Sequence, residues 1–146
     1  SMGKRGWGNW YSYSHGDCRM STVKVDTISP RTTSSTIVIG AAASNITALT
    51  SATTITIDFN DNNNFSVTLA HNATFANPSN PTAGQTGSIF ITQDGTGSRT
   101  ASWGSNWDFI GGSAPTLTTT ASAIDRIDYV IVDSSNIQAV ATLNYS

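Results

Sequence analysis

Short runs in which apolar and polar residues alternate recur along most of this chain, with turn residues between them. Residues 55–59 and residues 65–69 are the clearest examples, because every second position is apolar. A period of two places successive side chains on opposite faces of a β-strand, so each run predicts a strand with one buried face. No segment has a convincing helical period. The pattern therefore constrains the chain to an all-β fold.

The composition also favours strands and turns over helices. The 146 residues include 22 threonines, 20 serines and 12 asparagines, whereas glutamate is absent. Glutamate and lysine usually fill the solvent faces of helices, while threonine suits strands and asparagine suits turns. A chain of this length holds one domain. We therefore predict an antiparallel β-sandwich or a jelly-roll-like domain.

Two strand pairs are predicted from their turn residues. The dipeptide Asp94-Gly95 between residues 88–93 and 100–103 predicts a β-hairpin, because glycine can adopt the positive φ that tight turns require. Residues 127–143 predict a second hairpin, with its turn at residues 133–136. The end of the chain should therefore be a pair of long antiparallel strands.

Composition divides the chain into three segments. Residues 1–19 form an aromatic extension, residues 20–52 form an initial strand and a Ser/Thr/Ala-rich neck, and residues 53–146 form the β-sandwich. The dipeptide Ser1-Met2 resembles the remnant of a cleaved tag. The extension is either a functional aromatic segment or an added peptide with little role, and we favour the second interpretation. The neck is either a solvated linker or a segment that pairs with copies of itself.

Charge and cysteine content argue against several functional classes. A formal net charge of −2 provides no field that would gather nucleic acid or an anionic membrane. No apolar stretch is long enough to cross a bilayer, and no signal peptide is evident at the start. Cys18 has no second cysteine to pair with, and the two histidines add too few ligands for a structural zinc site. We predict no metal and no cofactor.

Residues for catalysis are also scarce. His71 is the only histidine in the predicted sandwich, and the aspartates lie mostly at turns, where capping explains them. The spacing of oxygen-bearing residues from Asp58 to Asn64 resembles the start of a calcium loop. A helix–loop–helix calcium site would need glycine where Asn63 stands and glutamate where Leu69 stands. A looser calcium site in a β-hairpin stays open, and we predict a non-enzymatic protein.

Five residues are candidates for ligand binding. Trp103 and Trp107 could form a flat platform for a sugar ring, although buried anchors are the favoured interpretation. Arg99 could contact an acidic sugar, although an ion pair with Asp94 is favoured. The polar loop that holds Asn62 and Asn64 could form hydrogen bonds with surface glycans.

Several motifs, in one order from about residue 53 to residue 143, resemble the distal module of bacteriophage tail fibres and related virion proteins, especially those of phages of marine bacteria. The motifs are TIDF (56–59), NNNFSVTL (62–69), ATFANP (73–78), AGQTG (83–87), ITQDGTGSRT (91–100), WGS (103–105), GGSAPTLT (111–118) and Asp125. Residues 21–28 also resemble the start of short phage fibre proteins.

The resemblance implies a β-rich, non-enzymatic domain that is often homotrimeric and that ends a fibre or contacts the host surface. We therefore predict a virion structural protein of the phage tail or fibre, with other virion proteins or a host surface glycan as partners. A monomeric carbohydrate-binding module that uses exposed tryptophans is the alternative. Quenching of indole fluorescence by glycans would distinguish the alternative from the fibre module.

Overall fold

A computed structural model describes residues 43–145, so the predictions for residues 1–42 lie outside the described residues. The described part is built almost entirely from strands. They are β1 (Ile46–Ala48), β2 (Thr54–Ile55), β3 (Asn64–Leu69), β4 (Ala73–Phe75), β5 (Thr86–Gln93), β6 (Ala101–Trp103), β7 (Trp107–Phe109), β8 (Ile124–Asp133) and β9 (Asn136–Tyr145), with one 3-10 turn at Ile110–Gly112. The prediction of an all-β fold is confirmed.

The strands form two sheets. The larger sheet has the order β1-β3-β5-β8-β9-β7, and the smaller sheet has the order β2-β4-β6. From β1 to β6 the chain alternates between the two sheets, and the neighbours it forms in each sheet are parallel. Parallel neighbours cannot be joined by a tight turn. Each return to the larger sheet therefore passes through the smaller one, which produces three stacked coils of chain.

The core lies on the inward faces that the alternating pattern predicts. Phe65, Val67 and Leu69 on β3 are buried. On the neighbouring parallel strand β5, the buried residues Ile89 and Ile91 lie beside Phe65 and Val67 on the same face of the sheet. The other large buried side chains come from the smaller sheet, from the C-terminal strands and from the segments that connect strands; they are Ile55, Ile57, Phe59, Phe75, Trp107, Leu117, Ile127, Tyr129, Ile131 and Ile137. Truncating such a side chain to alanine typically costs about 2–5 kcal/mol.

The C-terminal pair of strands extends the larger sheet. β8 pairs with β5 and β9 pairs with β8, both antiparallel, and the turn of this hairpin lies between Asp133 and Asn136. The second predicted hairpin is therefore confirmed. β7 completes the sheet by pairing in parallel with β9. The pairing in the molecule is mixed, because only these C-terminal strands are antiparallel.

The hairpin predicted around Asp94-Gly95 is wrong. β5 and β6 belong to different sheets, so residues 94–100 cross from one sheet to the other instead of reversing within one. A two-residue hairpin turn would need a positive φ at the centre of Asp94-Gly95. The positive φ values fall instead at Gly97 and Ser98. The strand that follows this loop pairs with β4 and not with β5.

Two further features bear on the predicted organisation. β1 lies in the segment assigned to the neck and pairs in parallel with β3, so the larger sheet begins before residue 53. Among the described residues, none forms a helix with the length and hydrophobicity needed to cross a membrane.

A buried carboxylate links two segments to β8. Asp125 is 2% exposed, and the register between β8 and β9 shifts between Ile124 and Arg126, on either side of it. Its Oδ2 accepts a hydrogen bond from the backbone N–H of Thr118 at 2.7 Å, and its Oδ1 accepts one from Asn144 at 2.9 Å. The side chain thereby satisfies two backbone donors that would otherwise lack a partner at this site.

We expect Asp125→Ala to lower the free energy of unfolding by about 2–4 kcal/mol, because two backbone donors lose their acceptor. Urea unfolding followed by circular dichroism measures this. Asp108→Ala is the matched control, since Asp108 is exposed and its side chain forms no hydrogen bond with residues 43–145. We expect the control to stay within about 0.5 kcal/mol of the original chain. Equal losses in both variants would contradict the structural role of Asp125.

Candidate functional site

The strand directions gather the connecting loops at two ends of the molecule. Strands β1, β3 and β5 run from one end to the other in parallel, and β2, β4 and β6 return. One end, which we call the amide end, contains loops 60–63, 77–85, 104–106 and 133–136. The opposite end, which we call the Asp94 end, contains loops 49–53, 70–72, 94–100 and 118–123.

Gln93 closes the loop at the Asp94 end from inside. Its side chain is 3% exposed at the end of β5. Its Nε2 donates to the carbonyl oxygen of Arg99 and its Oε1 accepts from the N–H of Arg99, both at 2.9 Å. The amide thus pairs with the backbone as a neighbouring strand would. Residues 94–98 are consequently held as a closed loop.

Asp94 orders the same loop from its first position. Its Oδ1 accepts hydrogen bonds from the N–H groups of Thr96 and Gly97, at 3.0 and 2.8 Å. Its Oδ2 accepts two from the Arg99 guanidinium, at 3.1 Å from Nε and 2.7 Å from Nη2. The Arg99 hydrogen bonds, followed by those from the loop backbone, hold the pKa of Asp94 below its usual value. In the structure Arg99 is therefore engaged in an ion pair with Asp94.

The loop packs against residues 118–123. The N–H of Ser98 donates to the carbonyl of Thr119 at 2.7 Å, and the N–H of Ser122 donates to that of Asp94 at 3.1 Å. Gly97 has a φ of 71°, and a Cβ at this position would lie 2.5 Å from the carbonyl oxygen of Thr119. Only glycine fits here. Backbone hydrogen bonds and close packing therefore order the Asp94 end before any ligand binds.

Two serines at this end have an uncommon backbone conformation. Ser98 has a φ of 62° and Ser122 has a φ of 63°. A side chain in this left-handed region costs about 1 kcal/mol, which glycine would avoid. Both serines are exposed, and neither hydroxyl forms a hydrogen bond with any of residues 43–145. The fold therefore keeps two solvent-exposed serines in place in spite of a backbone cost.

The amide end is ordered differently, because its side chains bond mainly to one another and to the backbone. Gln85 Nε2 donates to the carbonyl of Phe59 at 2.9 Å and to Asn63 Oδ1 at 2.7 Å. Asn80 Nδ2 donates to Asp58 Oδ1 at 2.8 Å. This bond, followed by one from the backbone N–H of Asn60, lowers the pKa of Asp58. Much of the hydrogen-bonding capacity of this end is therefore used internally.

Asn62 and Asn64 lie at the amide end and hold the segment that leads into β1. Asn62 Nδ2 donates to Thr47 Oγ1 at 3.2 Å, and Asn64 Nδ2 donates to Ser44 Oγ at 2.8 Å. Asn64 Oδ1 also accepts from the N–H of Ser88 at 3.1 Å. These two candidates are thus engaged with the chain itself, and they lie at the end opposite to Arg99. The contacts also show that the chain enters β1 from the amide end.

Both described tryptophans belong to an aromatic cluster. Trp107 is 6% exposed, and its Nε1 donates to the carbonyl of Ala76 at 3.1 Å. Trp103 is half-buried and stacks on Phe75 with ring centroids 4.5 Å apart, while its buried Nε1 has no hydrogen-bond partner. The indole of Trp107 lies in the core and is not an exposed platform for a sugar. The stacked face of Trp103 is likewise covered.

The described residues bring together few groups that could carry chemistry. No cluster of three or more His, Cys, Asp or Glu side chains occurs within residues 43–145. The oxygen-bearing side chains from Asp58 to Asn64, which resemble a calcium loop in sequence, bond instead to other side chains and to the backbone. His71 is exposed and lies 3.5 Å from the Ser51 hydroxyl.

Comparison with known families gives the chain its assignment. Residues 28–131 match the family model described as "Putative phage tail fibre C-terminal domain". The match covers most of the chain and begins upstream of β1. The chain belongs to this family. The tail fibre module is thus a structural component of the phage virion, in its tail or fibre. No match to the chain was found among curated proteins or among solved structures.

The sequence identified only part of what orders the Asp94 end of the tail fibre module. The dipeptide Asp94-Gly95 marked the loop, and Arg99 was named as the partner of Asp94. The roles of Gln93, Ser98 and Ser122 were missed. The role of Gln93 could have been predicted, because a glutamine at an inward position of a strand is buried and a buried amide needs hydrogen-bond partners. The left-handed serines carry no local signal, since that conformation follows from the packing between two loops.

Protonation of Asp94 should weaken the tail fibre module at low pH. A carboxylate whose pKa is lower in the folded state stabilises above its unfolded pKa of about 3.9 and loses that contribution as the pH falls through the folded value. We therefore expect the Tm of the original chain to fall more steeply between pH 5 and pH 2.5 than that of Asp94→Asn. Thermal unfolding monitored by circular dichroism measures the slopes.

Asp108→Asn controls for the removal of one negative charge and should keep the slope of the original chain. Identical slopes for the original chain and Asp94→Asn would contradict the role of the Asp94–Arg99 pair.

Proposed function

We propose that this tail fibre module attaches the virion to the host surface through its Asp94 end, without making or breaking a bond. The observation that carries the proposal is that Ser98 and Ser122 expose their hydroxyls to solvent while their backbone is in the left-handed conformation. Strained, exposed and well-ordered positions concentrate at binding sites, where the cost is offset by what the side chain contacts.

The direction of the chain supports the choice of this end. The family is a C-terminal fibre domain, so the preceding fibre residues approach the module from the N-terminal side. Contacts of Ser44 and Thr47 with the amide end put the entry to β1 there. We propose that the fibre joins the module at the amide end and that the Asp94 end meets the host.

The chemistry of the Asp94 end fits an uncharged, hydroxyl-rich ligand. Its exposed residues include Thr96, Ser98, Thr119, Thr120 and Ser122, whose hydroxyls can both donate and accept hydrogen bonds. The nearest charges, on Asp94 and Arg99, neutralise each other. A preordered surface of this kind loses little conformational entropy on binding. We propose neutral portions of bacterial surface polysaccharides as the ligand class.

The module acts in this proposal as a homotrimer. Three copies around one axis would present three equivalent Asp94 ends to a repeating polymer. Multivalent attachment of this kind raises the overall affinity by about 10²–10⁴-fold without any new contact in the single site. Weak individual binding to each repeat of the polysaccharide would then be sufficient for adhesion.

We expect the double variant Ser98→Gly and Ser122→Gly to lose at least about tenfold in polysaccharide binding and to keep its stability within about 1 kcal/mol. Glycine removes the hydroxyls, while relief of the left-handed strain offsets the greater freedom of glycine in the unfolded chain. The probe is an array of purified bacterial lipopolysaccharides and capsular polysaccharides. Urea unfolding measures stability.

Asn80→Gly is the matched control, because Asn80 also has a positive φ, of 53°, but lies at the amide end. It should bind as the original chain does. Equal binding by all three proteins, or a loss confined to Asn80→Gly, would contradict the assignment of the Asp94 end. Shortening of a bound polysaccharide during incubation, measured by size-exclusion chromatography, would contradict a purely adhesive role.

A further inference from the structure

Exposed apolar side chains concentrate on one face of the molecule. The face consists of the outward side chains of β8 and β9, which are Arg126, Asp128, Val130, Val132, Gln138, Val140, Thr142 and Tyr145; we call it the hairpin face. Val130, Val132, Val140 and Tyr145 are 36–46% exposed. Large, clustered apolar patches on the surface of a protein usually mark a site of association.

Ile110 extends this apolar surface beyond β9. Its side chain is 81% exposed, the highest value among the exposed large hydrophobic side chains of the described part. It stands at the 3-10 turn after β7, beside a shallow groove of about 340 Å³ that is also lined by Val130, Gln138 and Val140. A protruding aliphatic side chain next to an apolar groove is a surface that can interlock with another of the same kind.

The charge distribution favours this face for contact between copies. Residues 43–145 contain seven aspartates and two arginines, a formal net charge of −5 with histidine neutral within a chain whose net charge is −2, so these parts of two copies repel one another where aspartates meet. On the hairpin face Arg126 Nη2 lies 2.9 Å from Asp128 Oδ2, and the same guanidinium stacks over the Tyr145 ring. Asp108 is the remaining charge, at the margin on β7. Repulsion is therefore weakest where the hairpin faces of the copies meet around a common axis.

The dimensions of the face suit a stable contact. β8 and β9 have ten residues each, which corresponds to about 33 Å at about 3.3 Å per residue. β5 and β7 lie on either side and have eight and three residues. At about 4.8 Å per strand the four strands together project about 500 Å², which is of the order of the ~800 Å² that each partner contributes to a standard interface.

We propose that the hairpin face, together with Ile110, is the surface through which copies of this chain pack against one another. The inference rests on the proposed assembly of the module from several copies and adds where the contact lies. A second copy is the occupant that fits, because it supplies an apolar, nearly neutral face of the same length. Packing through this face leaves both loop ends of every copy uncovered.

The experiment is to measure the mass of the full chain by light scattering coupled to size-exclusion chromatography. We expect about three times 15.3 kDa for the original chain. We expect Ile110→Asp with Val140→Asp to shift the mass to that of one copy, because buried carboxylates would lack partners. Ile46→Asp is the matched control, since Ile46 is 55% exposed at the far edge of the same sheet, and it should keep the mass of the original chain.

The possible outcomes distinguish between two claims: that copies of the chain associate, and that they do so through the hairpin face. An original chain that runs as one copy would overturn the inference and also the proposed trimer. A multimeric original chain whose Ile110→Asp/Val140→Asp variant keeps the same mass would overturn only the location. Should the double variant fail to fold by circular dichroism, Val140→Cys in a Cys18→Ser background replaces it. Failure of Val140→Cys to form disulfide-linked copies on oxidation would then overturn the location.

Discussion

Parallel pairing of the backbone is the constraint on which the rest of this structure depends. Because parallel neighbours cannot be joined by a tight turn, every strand from β1 to β6 must be followed by a crossing to the opposite sheet. The crossings gather all the loops at two ends and leave the sheet faces clear. Because β1, β3 and β5 run in one direction and β2, β4 and β6 run back, each end also has a distinct composition. The separation of an amide end from an Asp94 end follows directly from this topology.

The two ends differ in how their polar groups are used. At the amide end, Gln85 bonds to the loop that precedes β3, and Asn64 bonds to Ser44 next to the start of β1. At the Asp94 end, the buried side chains of Gln93 and Asp125 form hydrogen bonds with the loop backbone at Arg99 and Thr118. The exposed hydroxyls above them are thereby left without partners among the described residues. The Asp94 end therefore resembles a preordered binding surface, whereas the side chains of the amide end serve to hold the chain together.

The sequence predicted the faces of the strands better than their partners. The alternation around Phe65 and Ile89 identified the core because burial depends on local periodicity. Strand order depends on distant pairings, and so Asp94-Gly95 was wrongly assigned to a hairpin. The tryptophans were ambiguous for the same reason, since an indole can serve as a platform or an anchor until its neighbours are known. The left-handed backbone of Ser98 and Ser122 arises only from tertiary packing.

The central claim is that the Asp94 end is the surface that meets the host. Chemical-shift mapping of the nitrogen-15-labelled chain, free and saturated with a bacterial surface polysaccharide that it binds, tests this most directly. The account predicts shifts in the backbone amides of residues 94–99 and 118–123, with those of residues 60–63 and 77–85 unchanged. Shifts confined to the amide end or to the faces of the sheets would contradict it.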